Sequence, residues 1–292
     1  MKYLNTSHLE LLGSYGSGIT SANGYIQTGT STTADINRFG ISVPSLTTLY
    51  FSFNCPNFNE SIPRAVVAVS FKNVSNVVCI ALSSSTIAIT KLATLASSSS
   101  ATTLWTGSAT VDSDGNRLFY TKVDTTAKTI DLYCNGVLLV ENLSYSLSSA
   151  GVAQALTFGK VGSSNNVKVY INNIIFSDAP YSPVEKVIEI TPTITTTDWT
   201  VTSGVATTDT VGDEMVLTVP SGAIDETSVK PTGYTVGLLN SAPSANVNAV
   251  DITQGATTDQ VILPSGATQS DYFTVSQASD ISATVVARSV TV

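Results

Sequence analysis

The chain has 292 residues, 42% of them hydrophobic and only 12% charged, and it carries a net charge of −8. About a quarter charged is usual, so the polar surface must come from another source, and 39 Ser and 41 Thr supply it. Thirteen basic residues exclude a binder that neutralises nucleic-acid phosphates, one histidine excludes most catalytic triads and zinc sites, three scattered cysteines exclude a disulfide framework, and the longest charge-free apolar run, residues 73–90, holds too much Ser, Asn and Thr to span a bilayer.

The N-terminus, Met-Lys-Tyr-Leu-Asn-Thr-Ser-His, shows no apolar h-region of a secretory signal, so synthesis in a reducing cytoplasm is the expectation. His8 to Leu12 is too short for an independent helix, and His8 has neither a second histidine nor a Gly-x-Ser-x-Gly elbow to work with. Tyr15-Gly-Ser-Gly-Ile-Thr lacks the third glycine and the Lys-Ser/Thr ending of a phosphate loop and reads as an N-terminal arm.

From Leu49 onward the pattern has period two. Leu49, Phe51 and Phe53 alternate with Tyr50, Ser52 and Asn54; Val67, Val69 and Phe71 with Val66, Ala68 and Ser70. Thr86 to Ala96 leans to strand because Ile87 and Ile89 are β-branched, and Ser97–Ser100 reads as a loop. Phe119, Thr121 and Val123 oppose Leu118, Tyr120 and Lys122; Ile130, Leu132 and Cys134 oppose Thr129, Asp131 and Tyr133; Val167, Val169 and Ile171 oppose Lys168, Tyr170 and Asn172. Successive strand side chains point to opposite faces, so each run predicts a strand with one buried face. Turns fall at Asp114-Gly-Asn116, Asn135-Gly136 and Gly162-Ser-Ser-Asn165, with Asn135-Gly136 the strongest hairpin signal. Cys55, Cys79 and Cys134 sit among β-prone neighbours and read as free, buried thiols. The Asn-x-Ser/Thr triplets at Asn5, Asn59, Asn73 and Asn142 are expected by chance in so Ser/Thr-rich a chain.

Asp178-Ala-Pro-Tyr-Ser-Pro-Val-Glu-Lys186 marks the expected boundary, with domains at 1–185 and 186–292. The charge shifts there: residues 1–190 hold 11 basic and 11 acidic residues, whereas residues 191–292 hold only Lys230 and Arg288 against ten acids. Met215, Leu217 and Val219 alternate with Val216 and Thr218, and Ser282–Val292 reads as a final strand. Ala206-Thr-Thr-Asp209 recurs as Ala256-Thr-Thr-Asp259, a weak echo that low composition complexity explains as well as a duplication does. Many short strands with little helix predict an all-β sandwich or barrel.

Lys128-Thr-Ile-Asp-Leu-Tyr-Cys-Asn-Gly-Val-Leu-Leu139, with Asn116–Asp124 before it and Val167–Asp178 after it, resembles the strand-hairpin-strand of laminin-G-like, concanavalin-A-like domains. The resemblance covers residues 24–181 and implies an antiparallel jelly roll, followed by a smaller β-sandwich-like domain. It also implies glycan or protein binding, glycan hydrolysis, or a structural role. The Glu-x-Asp-x-x-Glu strand of the glycosidase branch is absent, so no enzyme is expected and a polysaccharide-degrading activity ranks third. In composition the chain resembles bacteriophage virion proteins, which are rich in Ser and Thr, poor in charge and free of disulfides. The expectation is a structural protein of a phage particle in a fibre, spike, collar or head-decoration position. It would be made in the host cytoplasm and form homo-oligomers, a trimer among the forms expected, with other virion proteins or a host surface glycan as partners. Nucleic acid and membrane insertion are not expected. A glycan-binding lectin or adhesin is the alternative.

Asp112-Ser-Asp-Gly-Asn116 is the candidate contact for carbohydrate or calcium, through Asp112, Asp114 and Asn116. EF-hand spacing fails, since Val123 stands where a Glu is needed, and a polar hairpin turn is the competing reading. No cofactor is otherwise expected. Trp105, Trp199 and Tyr181 stack on sugars if exposed and anchor cores or interfaces if not.

Overall fold

The computed structural model describes residues 2–4, 14–15, 17–22, 25–28, 38–56, 58, 62–95, 101–108, 110–145, 147, 151–159, 161 and 168–291. His8, Gly16 of the glycine-rich arm, the serine run 97–100, the turn at 162–165 and the triplet positions Asn5 and Asn59 lie outside them. Among the described residues the protein is all-β, with a single 3-10 turn at Ala278–Asp280, and no helix is long and apolar enough to cross a membrane. Two compact units divide the chain, Met1–Val187 and Ile188–Val292.

The first unit contains β1 (Lys2–Leu4), β2 (Ser14–Tyr15), β3 (Ile19–Ala22), β4 (Tyr25–Thr28), β5 (Arg38–Leu46), β6 (Thr48–Asn54), β7 (Arg64–Phe71), β8 (Val74–Leu82), β9 (Thr86–Leu92), β10 (Thr102–Ser108), β11 (Leu118–Asp124), β12 (Thr129–Cys134), β13 (Val137–Ser144), β14 (Ala153–Gly159) and β15 (Tyr170–Ser177). An eight-stranded antiparallel sheet runs β13–β12–β11–β6–β15–β4–β3, with β1 also on β15, and a seven-stranded one runs β10–β9–β8–β7–β14–β5–β2. The alternating faces explain the packing between them. Phe53 stacks on Phe119 from the same sheet (ring centroids 5.0 Å) and meets Phe158 from the other edge-on (5.9 Å). Phe158 in turn stacks on Phe39 (5.2 Å). In β7 the expected alternation slips. Ala65 pairs with Ala81 and Val67 with Ile80, so Val66 is an extra residue in a bulge, and Val66 and Val67 are both buried.

The Asn135-Gly136 hairpin forms as predicted. Cys134 pairs with Val137, and both turn residues have positive φ (49° and 80°), as a two-residue type I′ turn requires. The Asn135 side chain locks it, accepting from Leu118 N (2.8 Å) and donating to Thr110 O (3.1 Å). Asn73 and Asn142 also have positive φ, which gives these triplet positions a local backbone role.

A buried cation ties one sheet to the other. Arg117, 5% exposed just before β11, donates from its two terminal nitrogens to Ser83 O (2.9 Å) and Ser84 O (2.6 Å) beyond the end of β8. Its Nε is buried without a partner. All three cysteines are free and buried. Burial pushes the thiol of Cys55 up to about 12 and that of Cys134 up to about 11, and raises Cys79 as well.

The second unit contains β16 (Thr193–Thr196), β17 (Thr200–Thr202), β18 (Val205–Thr207), β19 (Glu214–Thr218), β20 (Gly233–Tyr234), β21 (Gly237–Ser241), β22 (Ala249–Gln254), β23 (Thr257–Ile262), β24 (Gly266–Gln269), β25 (Phe273–Thr274) and β26 (Ser282–Arg288). Five strands form a sheet in the order β16–β19–β26–β22–β23, and β17–β18, β20–β25 and β21–β24 are two-stranded ribbons. One face of the sheet buries Met215, Leu217, Ile252, Val261 and Val285, covered by Phe273 with Trp199, Tyr234 and Leu238. The Ala-Thr-Thr-Asp echo falls on unlike elements, the ribbon strand β18 and the sheet strand β23.

Candidate functional site

The Asp112–Asn116 loop joins β10 of one sheet to β11 of the other, so it is a crossover between sheets and not a hairpin turn. It is closed on itself. Asp112 Oδ1 accepts from Asp114 N (3.0 Å) and Asn116 N (2.7 Å), and Asp112 N donates to Asn116 O (3.0 Å). Asn116 Oδ1 accepts from Asn54 Nδ2 (3.0 Å), which also donates to Asn172 Oδ1 (2.9 Å). The structure thus brings Asp112, Asp114 and Asn116 together on one rim loop but engages Asp112 Oδ1 within the loop and Asn116 Oδ1 with Asn54. Calcium takes six to eight oxygens, and the loop has few left to offer. Among the described residues no group of three or more His, Cys, Asp or Glu side chains gathers to hold a metal. The buried Arg117 guanidinium next in sequence also disfavours a cation.

A second arrangement lies on the outer face of the eight-stranded sheet. Strand pairing sets Tyr50, Lys122 and Asp131 in one row and Ser52, Tyr120, Tyr133 and Leu138 in the next. Tyr120 is the floor at 5% exposure. Tyr133 meets it edge-on (5.5 Å) and Tyr50 lies tilted at 6.2 Å. Lys122 Nζ pairs with Asp131 Oδ2 at 3.6 Å, and Asp131 Oδ1 accepts from Asn142 N (2.6 Å). Burial, helped by the neighbouring Tyr50, Tyr133 and Asp131, pushes the Tyr120 hydroxyl up to about 12, so it stays a neutral donor.

One side of this shelf is walled by the segment expected to hold the domain boundary. Residues 178–187 fold back over the sheet they have just left. The Tyr181 ring stands edge-on to Tyr120 (5.0 Å), and its hydroxyl donates to Ile175 O (3.3 Å). Burial raises that hydroxyl far above the ordinary tyrosine range. Asn173 Nδ2 donates to Glu185 O (3.0 Å), and Val187 N donates to Asn173 Oδ1. Pro180 and Pro183 have no N–H to give a ladder, which is why this strap packs through side chains instead of adding a strand.

Of the aromatics singled out in the sequence, Tyr181 is this wall. Trp105 packs against the first core and leans over Gly107, where a Cβ would fall 2.2 Å from the ring. Trp199 packs against the second core with its indole N–H buried and unpartnered. Sequence reasoning missed Tyr50, Tyr120, Tyr133 and the Lys122–Asp131 pair as a group. Their signal was present, since each occupies a position alternating with the apolar face of its strand.

No family model and no curated protein matches the sequence. Several solved structures resemble the chain in part. The binding domain of botulinum neurotoxin serotype G matches at 9% identity and a TM-score of 0.39, covering 58% of this chain and 44% of that one. Trypanosoma rangeli sialidase matches at 7% and 0.39, covering 57% and 27%. The CBM2 module of the evolved Dit of Lactobacillus casei BL23 phage J-1 matches at 12% and 0.35, covering 57% and 82%. The chain therefore spans less than half the length of the first two, and the likeness extends no further than the β-sandwich architecture.

A sialidase among these structures corrects the expectation that the chain is no enzyme. That expectation rested on one missing carboxylate motif. Glycoside hydrolysis is not confined to paired carboxylates, because a tyrosine can act as the nucleophile.

Proposed function

We propose that the chain is a structural protein of a phage particle whose first unit recognises a ligand on the host surface. The observation that carries the recognition reading is the tyrosine shelf: aromatic rings and a paired charge on an outer sheet face, beyond what the core between the sheets needs. The Ser/Thr-rich, charge-poor composition supports the particle reading, since such surfaces suit polar, protein-covered assembly contacts. Three buried free thiols fit synthesis in a reducing host cytoplasm. The second reading, a lectin or adhesin acting outside a particle, uses the same face and differs in assembly.

Two measurements test this. Light scattering at two concentrations is expected to give a closed homo-oligomer of constant mass, and a clean monomer moves the weight to the second reading. Fluorescently labelled full-length chain is expected to bind intact bacterial cells. A chain that binds none of a broad panel of cells defeats the recognition reading.

A further inference from the structure

The geometry points to the open part of the shelf, between the Tyr181 wall and the β13 edge, as a binding site for a neutral pyranose glycan; this rests on the recognition reading above. A pyranose presents a C–H face and a rim of hydroxyls. Tyr50 and Tyr133 are half-buried, so each offers ring surface to a C–H face, with the Tyr120 ring between them as floor. Lys122 stands in the same region with its side chain partly exposed and is a donor for a sugar hydroxyl, held in place by Asp131, which is buried with its Oδ1 taken by Asn142 N and its Oδ2 paired with the ammonium.

Charge selects the ligand class. The ammonium and carboxylate on the shelf compensate each other at 3.6 Å, and neither is left to match an ionised ligand. A uronate or sialate would find the Lys122 charge already compensated by Asp131. Shape selects an extended chain over a single sugar, because the accessible surface of the shelf is not confined to Tyr50 and Tyr133. It continues past Tyr133 to Leu138, which is exposed on the edge strand. The wall is already in place, since Tyr181 is fixed through Ile175 O and the Tyr120 ring, so little ordering is left for the ligand to impose. In the rim loop Asp112 Oδ1 and Asn116 Oδ1 already have partners within the protein.

The test uses full-length chain on an array of neutral oligosaccharides (glucans, galactans, mannans, rhamnans) and acidic ones (uronate-containing and sialylated). Tyr50→Ala, Tyr133→Ala, Lys122→Gln and Asp114→Ala are run beside it, each checked for an unchanged thermal transition. Tyr50→Phe and Tyr133→Phe stand in if an alanine variant unfolds, and each then retains most of the binding. The expected result is binding to neutral members only, weakened about tenfold or more by each of the first three variants and unchanged by Asp114→Ala. Neutral binding that survives all three shelf variants overturns the site and leaves the recognition reading standing. Binding confined to acidic members overturns the ligand class. Cells bound with no oligosaccharide bound also overturn the glycan site alone, and failure on both arms overturns the recognition reading with it.

Discussion

The two units solve the same problem with unequal means. The first closes two wide sheets over a core of stacked phenylalanines and long aliphatic chains, with 33 described residues buried in one cluster. The second has a single five-stranded sheet covered by ribbons, and eight described residues form its core. It relies more on short polar closures, such as Asp225 accepting from Thr227 N and Thr227 Oγ1, Asp213 from Thr208 Oγ1, and Tyr234 Oη donating to Ser282 O. Apolar burial is the larger stabilising term, so the first unit is expected to be the more stable. The difference also separates roles. A deep core lets the first unit commit its outer face to tyrosines and a paired charge, whereas the second unit keeps a hydroxyl-rich, acidic surface over a thin core.

The largest effects break each unit separately. Phe53→Ala removes a ring that touches both sheets and is expected to cost about 3–5 kcal/mol. Ile252→Ala, fully buried in the second core, is expected to cost about 2–5 kcal/mol. In calorimetry each lowers its own transition and spares the other, and a single joint shift breaks the comparison. All three thiols belong to the first unit, and burial holds their titration well above neutrality, so a thiol reagent at pH 8 labels the chain only as that unit opens. Labelling should therefore follow the Phe53→Ala transition and ignore the Ile252→Ala one.

Arg117→Met comes next. It leaves the carbonyl of the buried Ser83 without this partner, while the exposed Ser84 turns to water, and is expected to cost about 1–3 kcal/mol by denaturant unfolding. Arg117→Lys recovers little of this, because an ammonium cannot span both carbonyls as the guanidinium fork does. Gly136→Ala is smaller, about 1–2 kcal/mol, since the residue has φ of 80° and a Cβ there falls 2.9 Å from Val184 Cγ1 of the strap.

The smallest effect is acid dependence in the second unit. Burial alone would raise the Asp251 carboxyl, but the hydrogen bonds from Arg288 Nε (2.5 Å) and Gln260 Nε2 (2.8 Å), with the Arg288 charge, hold it below its ordinary value. Its folded value lies below the unfolded one, so its contribution is complete above about pH 4 and fades as pH falls through the folded value. Asp251→Asn should flatten that acid limb of the second transition and leave the first unchanged. An equal slope with and without the substitution discards the assignment.

Much of the fold was legible because period two is a local property. Leu49–Asn54, Leu118–Asp124 and Thr129–Cys134 form strands whose core faces are those the alternation predicts, although Ser52, Leu118, Tyr120 and Asp131 on the opposite face are buried too, and Asn-Gly sets a turn by backbone preference alone. What was not legible depends on pairing. Tyr50, Tyr120 and Tyr133 are 83 residues apart end to end in sequence and become neighbours only once β6, β11 and β12 are known to be adjacent. Arg117 reads as a surface charge until Ser83 and Ser84 arrive from the other sheet. The prolines at 180 and 183 rightly mark the end of the strand, but a chain that stops pairing can still pack, and Tyr181 gave no local sign of its destination.

The strap also has a mechanical meaning. It is the only stretch of chain between β15, hydrogen-bonded on both sides within its sheet, and the start of the second unit. Tension on the second unit is delivered first to Asn173 and Tyr181, not to a β-ladder. Peeling residues 178–187 would release ten residues, about 30 Å of extended chain, while both cores stay intact. Peeled in this way the strap would act as a tether between the two units, and the same extension would strip the wall from the tyrosine shelf.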